Sequence, residues 1–246
     1  MERAHHRQTQ PSETGRSFSC WNGTFVSPTH VKIVAIADTH GRHEEIGVPE
    51  GDILVHAGDV TNAGSLAELD AFNNFLGSLP HPHKIVIAGN HDFCFERERV
   101  QAERILTNAT YLHDSDVTIL GIRFYGSPWQ PKFMEWAFNL PRGEALAEKW
   151  KLIPEDTDIL VTHCPPFGFG DLTRDGEQVG CKDLRDRVIK IRPRVHIFGH
   201  IHEDTGIWKD DDMVVVNASV FGRPNRSVVI DWFGDTPSVH QFTLGA

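Results

Sequence analysis

The sequence predicts a mixed α/β fold, a two-sheet β-sandwich flanked by helices. Three observations predict it. Short, strongly apolar runs bounded by Gly, Asp or Asn recur along the chain, as in strands buried on both faces. Early runs alternate with helical periodicity, whereas the C-terminal third is mostly strand-like. Five of the runs end in a short polar cluster: Asp38-Thr39-His40, Gly58-Asp59, Gly89-Asn90-His91-Asp92, Thr162-His163 and Gly199-His200-Ile201-His202. Ligands of open α/β sheets gather at the carboxyl ends of strands, so one topology brings all five clusters to a common rim.

In chain order, Val31–Ala37 opens the sheet and Asp52–His56 is the second strand. Leu66–Leu79 carries apolar residues at helical spacing and stops before Pro80. Lys84–Ala88 is the third strand, and Arg97–Leu106 reads as a helix. Val117–Leu120 and Ile122–Tyr125 flank Gly121, the pattern of a hairpin or bulge. Ser127–Pro141 is rich in aromatics and proline and reads as an ordered loop. A helix over Gly143–Lys151 precedes a strand at Asp158–Val161, a long loop over Pro165–Gly180 and a helix over Lys182–Lys190. Val195–Phe198, Met213–Val216, Val228–Trp232 and Val239–Phe242 are the later strands.

The chain has 246 residues, which suits one domain over 18–246 after a polar, flexible tail at 1–17. A net charge of −10 argues against binding long nucleic acid through a basic groove. It leaves small phosphorylated substrates open, because bound metal ions add local positive charge. Cys20, Cys94, Cys164 and Cys181 form no C-x-x-C pair, so a zinc knuckle is excluded and a reduced, cytoplasmic setting is expected. No run approaches the ~18 apolar residues of a membrane span, so no membrane partner is expected. Nothing in the sequence sets the oligomeric state.

Singly, each cluster has an ordinary explanation as a turn, a cap or a solvated polar residue. Together they supply Asp38, His40, Asp59, Asn90, His163, His200 and His202, enough donors for two ions. Carboxylate, amide and imidazole donors without thiolate suit divalent manganese, iron or zinc, with manganese the leading candidate. Asp38 and His40, like His200 and His202, are two residues apart and share a face of an extended strand end. Asp59 has two oxygens and could bridge two ions.

The ordered set D-x-H, G-D, G-N-H-D, H and G-H-x-H resembles the metallophosphoesterase (calcineurin-like phosphoesterase) superfamily over Val31 to about Ile230. The stretches Pro49–Asp59, Lys84–His91, Tyr125–Trp129, Thr162–Pro166 and Val216–Ser219 are similar to the metallophosphoesterase-domain-containing proteins. The resemblance implies one metal on Asp38, His40, Asp59 and His202, and a second on Asp59, Asn90, His163 and His200. It implies His91 as the catalytic histidine that binds no metal, with Asp92 beside it as an orienting partner. The implied activity is metal-dependent hydrolysis of small phosphodiesters, cyclic nucleotides included. Some members have lost a histidine of G-H-x-H and are weak enzymes, whereas this chain keeps both. Cys164 stands where many members have Gly, which bears on the pocket floor and removes no ligand.

Asn62, Trp129 and Phe169 are the candidate substrate contacts, the two aromatics as stacking surfaces for a base. The alternatives are a phosphomonoesterase and a weakly active metal-bound nucleotide sensor. Protein phosphatases of the superfamily carry an Arg shortly after the bridging Asp. Here Asp59 is followed by Val60-Thr61-Asn62-Ala63-Gly64, which argues against that branch.

Overall fold

The computed structural model describes residues 30–234 and 236–244, so the expected tail at 1–17 and Cys20 lie outside the described residues. The strands are β1 (Val31–Ile36), β2 (Ile53–Ala57), β3 (His83–Ile87), β4 (Thr110–Tyr111), β5 (Ser115–Ile119), β6 (Ile122–Ser127), β7 (Gln130–Pro131), β8 (Asn139–Leu140), β9 (Ile159–Thr162), β10 (Val195–Phe198), β11 (Gly206–Asp210), β12 (Met213–Asn217), β13 (Arg226–Phe233) and β14 (Thr236–Thr243). The helices are α1 (Leu66–Ser78), α2 (Phe93–Arg97), α3 (Arg99–Ile105), α4 (Glu144–Lys151) and α5 (Lys182–Ile191).

Two six-stranded sheets form, in the orders β14-β13-β1-β2-β3-β4 and β11-β12-β10-β9-β6-β5. Both have a parallel centre; the first is antiparallel only on its β13–β14 side, with β4 added parallel to β3, and the second is antiparallel at both edges. Alternate residues of the central strands face opposite ways. Ile33, Val55, Ile85, Val161, Val195 and Ile197 meet in the core between the sheets. Val34, Leu54 and Val86 face outward onto Leu69, Phe72 and Leu76 of α1. On the other outer face, Leu160 and Val215 meet Leu146 and Trp150 of α4 and Leu184 and Val188 of α5. The result is the helix-flanked sandwich expected from the sequence.

Local differences have local causes. α1 starts where a capping box closes it, with the Glu68 amide donating to Ser65 Oγ and the Ser65 amide to Glu68 Oε2. The helix expected over Arg97–Leu106 is α3, which starts at Arg99 because Glu98 leaves helical geometry at φ −130° and parts it from α2, a short helix not expected from the sequence. The ordered loop at 127–141 contains the two-residue strands β7 and β8. β11 is not among the expected strands because its sequence, Gly206-Ile207-Trp208-Lys209-Asp210, has no apolar run, and its pairing with β12 sets it.

Two core positions carry histidine. His56 on β2 and His196 on β10 are fully buried. Their Nε2 atoms bond the hydroxyls of Thr39 at 3.0 Å and Thr162 at 2.8 Å, each beside a polar cluster. Burial pushes both imidazoles down to about 3. An unfolded histidine titrates near ~6.5, so below that pH the unfolded chain binds protons that the folded chain excludes. This contribution to stability is complete above about pH 6.5 and is lost toward pH 3, at up to about 1.4 kcal/mol per pH unit for each group. The urea midpoint is therefore expected to fall steadily from pH 6.5 to 5, and His196→Gln to flatten that slope. A flat wild-type profile over this range would contradict the argument.

Candidate metal centre

The five clusters meet because both sheets present the carboxyl ends of their parallel strands to the same rim. Backbone hydrogen bonds stitch the turns together there. The Asp38 amide donates to the Gly58 carbonyl, the His40 amide to the Asp59 carbonyl, and the Gly199 amide to the His163 carbonyl. The strands must reverse sharply at the rim. Asp38, His40, Asp59 and His200 all sit in the left-handed region, at φ 59°, 46°, 57° and 71°. Non-glycine residues occupy that region at a cost of order 1–3 kcal/mol, and such strain collects at functional sites. Close approach also dictates two glycines. A Cβ on Gly89 would overlap Asp59 Oδ1, and one on Gly199 would overlap Asp38 Oδ2.

Asp38, His40, Asp59 and His202 bring one donor atom each within 4.8 Å of one another. His40 Nε2 lies 3.2 Å from His202 Nε2 and 3.6 Å from Asp59 Oδ2, and His202 Nε2 lies 3.8 Å from Asp38 Oδ1. Beside this group, Asn90 Oδ1 stands 2.9 Å from His163 Nε2 and 2.7 Å from His200 Nδ1. Asp59 Oδ2 lies between the two groups, 3.4 Å from His163 Nε2. Its Oδ1 accepts the His91 amide at 2.8 Å, which fixes the carboxylate plane. Both oxygens of Asp38 accept the His200 amide at 3.1 Å. The structure thus brings all seven expected ligands together, in two groups that share Asp59.

The donor chemistry fits a cation. His163 Nδ1 donates to the Ala57 carbonyl at 2.9 Å, which turns Nε2 toward Asn90 Oδ1 and Asp59 Oδ2, two acceptors that call for a proton or a cation at that nitrogen. A positive ion between them satisfies both. The electrostatics agree. Burial opposes charge on Asp38, yet the hydrogen bond and charge of His202, with His163 and His40, hold its carboxyl well below the usual range. Burial likewise opposes the charge on Asp59, and His163 brings it down to about 2. Burial would lower His163, but the charge and contact of Asp59, aided by Asp38, raise it to about 9. The pocket itself draws in positive charge.

The His91 ring is oriented by a backbone group. Its Nδ1 donates to the Asn62 carbonyl at 2.7 Å. Asp92 does not hold the ring, contrary to its expected orienting role. Its carboxylate accepts from the amides of Gly89, Val60 and Thr61 and from the Thr61 hydroxyl, at 2.7, 3.2, 2.9 and 2.6 Å. Asp92 ties the Asp59 turn to the Asn90 turn. Burial and the charge of Asp59 lift it to about 6.

Of the three expected substrate contacts, Asn62 stands beside His91, while Trp129 and Phe169 are engaged by other side chains. Asn62 serves through its carbonyl, and its amide donates to Glu68 Oε1. Trp129 Nε1 donates to Asp114 Oδ2 at 2.8 Å, and Lys149 Nζ sits 4.2 Å above the ring. Phe169 packs against the outer core under the Arg185 guanidinium, 4.2 Å away. Two aromatics that the sequence did not single out lie directly on rim histidines. Trp136 lies over His91 at 4.1 Å between ring centroids, and Phe221 stacks on His202 at 4.3 Å. Only the aromatic richness of 127–141 hinted at Trp136.

A helix-flanked double sheet with an Asp/His cluster at the strand ends defines a protein built to hold divalent metal at an open rim. The chain belongs to the calcineurin-like phosphoesterase family, whose model matches residues 31–204, and this makes it a phosphoric ester hydrolase by class. It is 45% identical over 233 residues to metallophosphoesterase domain-containing protein 1 of Homo sapiens, an alignment spanning 83% of this chain and 72% of that protein. UPF0046 protein C25E10.12 of Caenorhabditis elegans is 37% identical, over 84% of this chain and 81% of its own. Among solved structures, TT1561 of Thermus thermophilus shares the fold, with a TM-score of 0.60 and 16% identity over 86% of this chain and 99% of that one. Among the described residues, no helix is long and apolar enough to cross a membrane.

Proposed function

We propose that this chain is a dinuclear-metal phosphodiesterase acting on small phosphodiesters, cyclic nucleotides among them. One observation carries the reading. Asp59 Oδ2 sits 3.6 Å from His40 Nε2 and 3.4 Å from His163 Nε2, between two donor groups, while its Oδ1 is engaged by the His91 amide. Asp38, His40, Asp59 and His202 would hold one ion and Asp59, Asn90, His163 and His200 the other. Manganese is the leading candidate, with iron or zinc compatible with the same donors. Bound divalent ions supply Lewis acidity and an activated water nucleophile.

The chain's own residues do the rest. His91, steered by the Asn62 carbonyl, donates a proton to the departing ester oxygen as the P–O bond breaks. The positive-φ turns hold both carboxylates toward the rim. Trp136 and Phe221 screen His91 and His202 from bulk water. No arginine follows Asp59, and the amides of Asn62 and Ala63 are engaged by Glu68. The missing cation favours a singly charged diester over a doubly charged monoester.

The test is turnover by metal-stripped protein with Mn²⁺, Fe²⁺ or Zn²⁺ restored. The substrates are bis(p-nitrophenyl) phosphate, p-nitrophenyl phosphate, and 2′,3′- and 3′,5′-cyclic nucleotides. Metal-dependent diester hydrolysis, about tenfold or more above monoester hydrolysis in kcat/KM, is expected. Monoester preference would favour a phosphomonoesterase, and saturable metal binding with no turnover would favour a sensor.

A further inference from the structure

The segment between β6 and α4 reaches the rim on two sides. It lays Trp136 over His91 and carries Phe133 to a cavity of about 300 Å³ that opens beside His200. Pro131, Phe133, Pro165, Val179 and Ile201 form the apolar part of its lining. Cys164 contributes to the same wall, and Lys132, Arg142, Thr173, His200 and Glu203 complete the lining.

Phe133 keeps 57% of its surface exposed, and Met134 64%. Leaving such side chains in water forgoes the free energy of burying them. The backbone is pinned so that they stay there. Asn139 Oδ1 accepts the Phe133 amide at 3.3 Å, and Asn139 Nδ2 donates to the Phe133 and Met134 carbonyls at 3.2 and 3.1 Å. Gln130 Nε2 in turn donates to Asn139 Oδ1 at 3.1 Å. Met134 itself is held at a φ of 49°. Across the cavity, the Arg142 guanidinium donates to the Val179 and Gly180 carbonyls at 2.6 and 2.7 Å, which braces the opposite wall. An aromatic held outward on a braced groove next to a reaction centre is a preformed contact for a ligand.

We propose that this groove seats the apolar substituent of the phosphodiester, with Phe133 as its specificity-determining contact. The inference rests on the diesterase reading above. An acyclic diester at the rim has two separate substituents, whereas a cyclic nucleotide joins both ester oxygens to one ribose and leaves the groove unfilled. In the acyclic diester, one substituent leaves on the His91 side, and the groove beside His200 receives the other. Phe133 and the apolar side of the lining select an aryl or alkyl group over a polar nucleoside.

The test uses p-nitrophenyl diesters whose second substituent is ethyl, hexyl, phenyl or 5′-thymidyl, with manganese-loaded wild type, Phe133→Ala and Phe133→Leu. Wild type is expected to show a KM about tenfold lower for the hexyl and phenyl esters than for the ethyl ester. Phe133→Ala is expected to bring that ratio close to one, and Phe133→Leu to restore most of it. The hexyl-to-phenyl ratio separates an alkyl from an aryl ligand. A ratio unchanged in Phe133→Ala, or a thymidyl preference insensitive to Phe133, would overturn the proposal. Calorimetric binding of diphenyl phosphate to the same proteins gives a readout independent of turnover. If no ester is hydrolysed, the diesterase reading falls. The groove then stands on a roughly tenfold weaker affinity in Phe133→Ala, and falls if the affinities match.

Discussion

Asp59→Asn is expected to lower kcat at least about 10³-fold and to reduce bound manganese below two ions per chain. The argument starts from the two oxygens. Oδ1 is claimed by the His91 amide, a donor, so the asparagine carbonyl would turn toward it. The new NH₂ group would then occupy the place of Oδ2, facing His40 Nε2 and His163 Nε2. His163 Nδ1 is already donating, so Nε2 is the nitrogen left to face an ion. A donor would fill the space between those nitrogens and remove the buried charge that both donor groups share. One isosteric change thus affects both sets of ligands, which no other ligand substitution does. Metal content by mass spectrometry and turnover of a diester, measured on the same preparation, decide the matter. Two ions per chain with wild-type turnover in Asp59→Asn would refute the bridging role.

The rim was legible because strand and cluster adjoin in sequence. Asp38, Asp59, Asn90, His163 and His200 each follow an apolar run, and a parallel sheet sends such positions to one end. What periodicity does not carry is which loop atom meets which ligand. The His91 ring found the Asn62 carbonyl rather than the neighbouring Asp92, because three backbone amides and a hydroxyl had already captured that carboxylate. Trp129 was a reasonable stacking candidate, but Asp114 and Lys149 bind its edge and face. Phe221 and Trp136 reach the rim from loops with no repeating pattern, so only the folded chain brings them there. The sandwich itself was readable from the alternation of strands and helices, whereas β11 depended on a partner strand.

His91→Ala is expected to retain both metals and to lose about 10²–10⁴-fold in kcat on esters with alkoxide leaving groups. Metal retention follows from which atoms of His91 touch the ligands. The bond to Asp59 Oδ1 comes from the backbone amide, which alanine keeps. The side chain donates to the Asn62 carbonyl and lies against Trp136 and His40, so its removal leaves the seven ligand side chains in place. The leaving group separates the possible roles. A ribose alkoxide must be protonated as it departs, whereas p-nitrophenolate departs readily without a proton. A proton donor therefore predicts a large loss on cyclic nucleotides and a much smaller one on bis(p-nitrophenyl) phosphate. Equal losses on both would assign His91 to charge stabilisation in the transition state instead. Loss of metal would make it structural. The comparison uses one variant and two substrates, and a misfolded protein is told apart by its loss of metal.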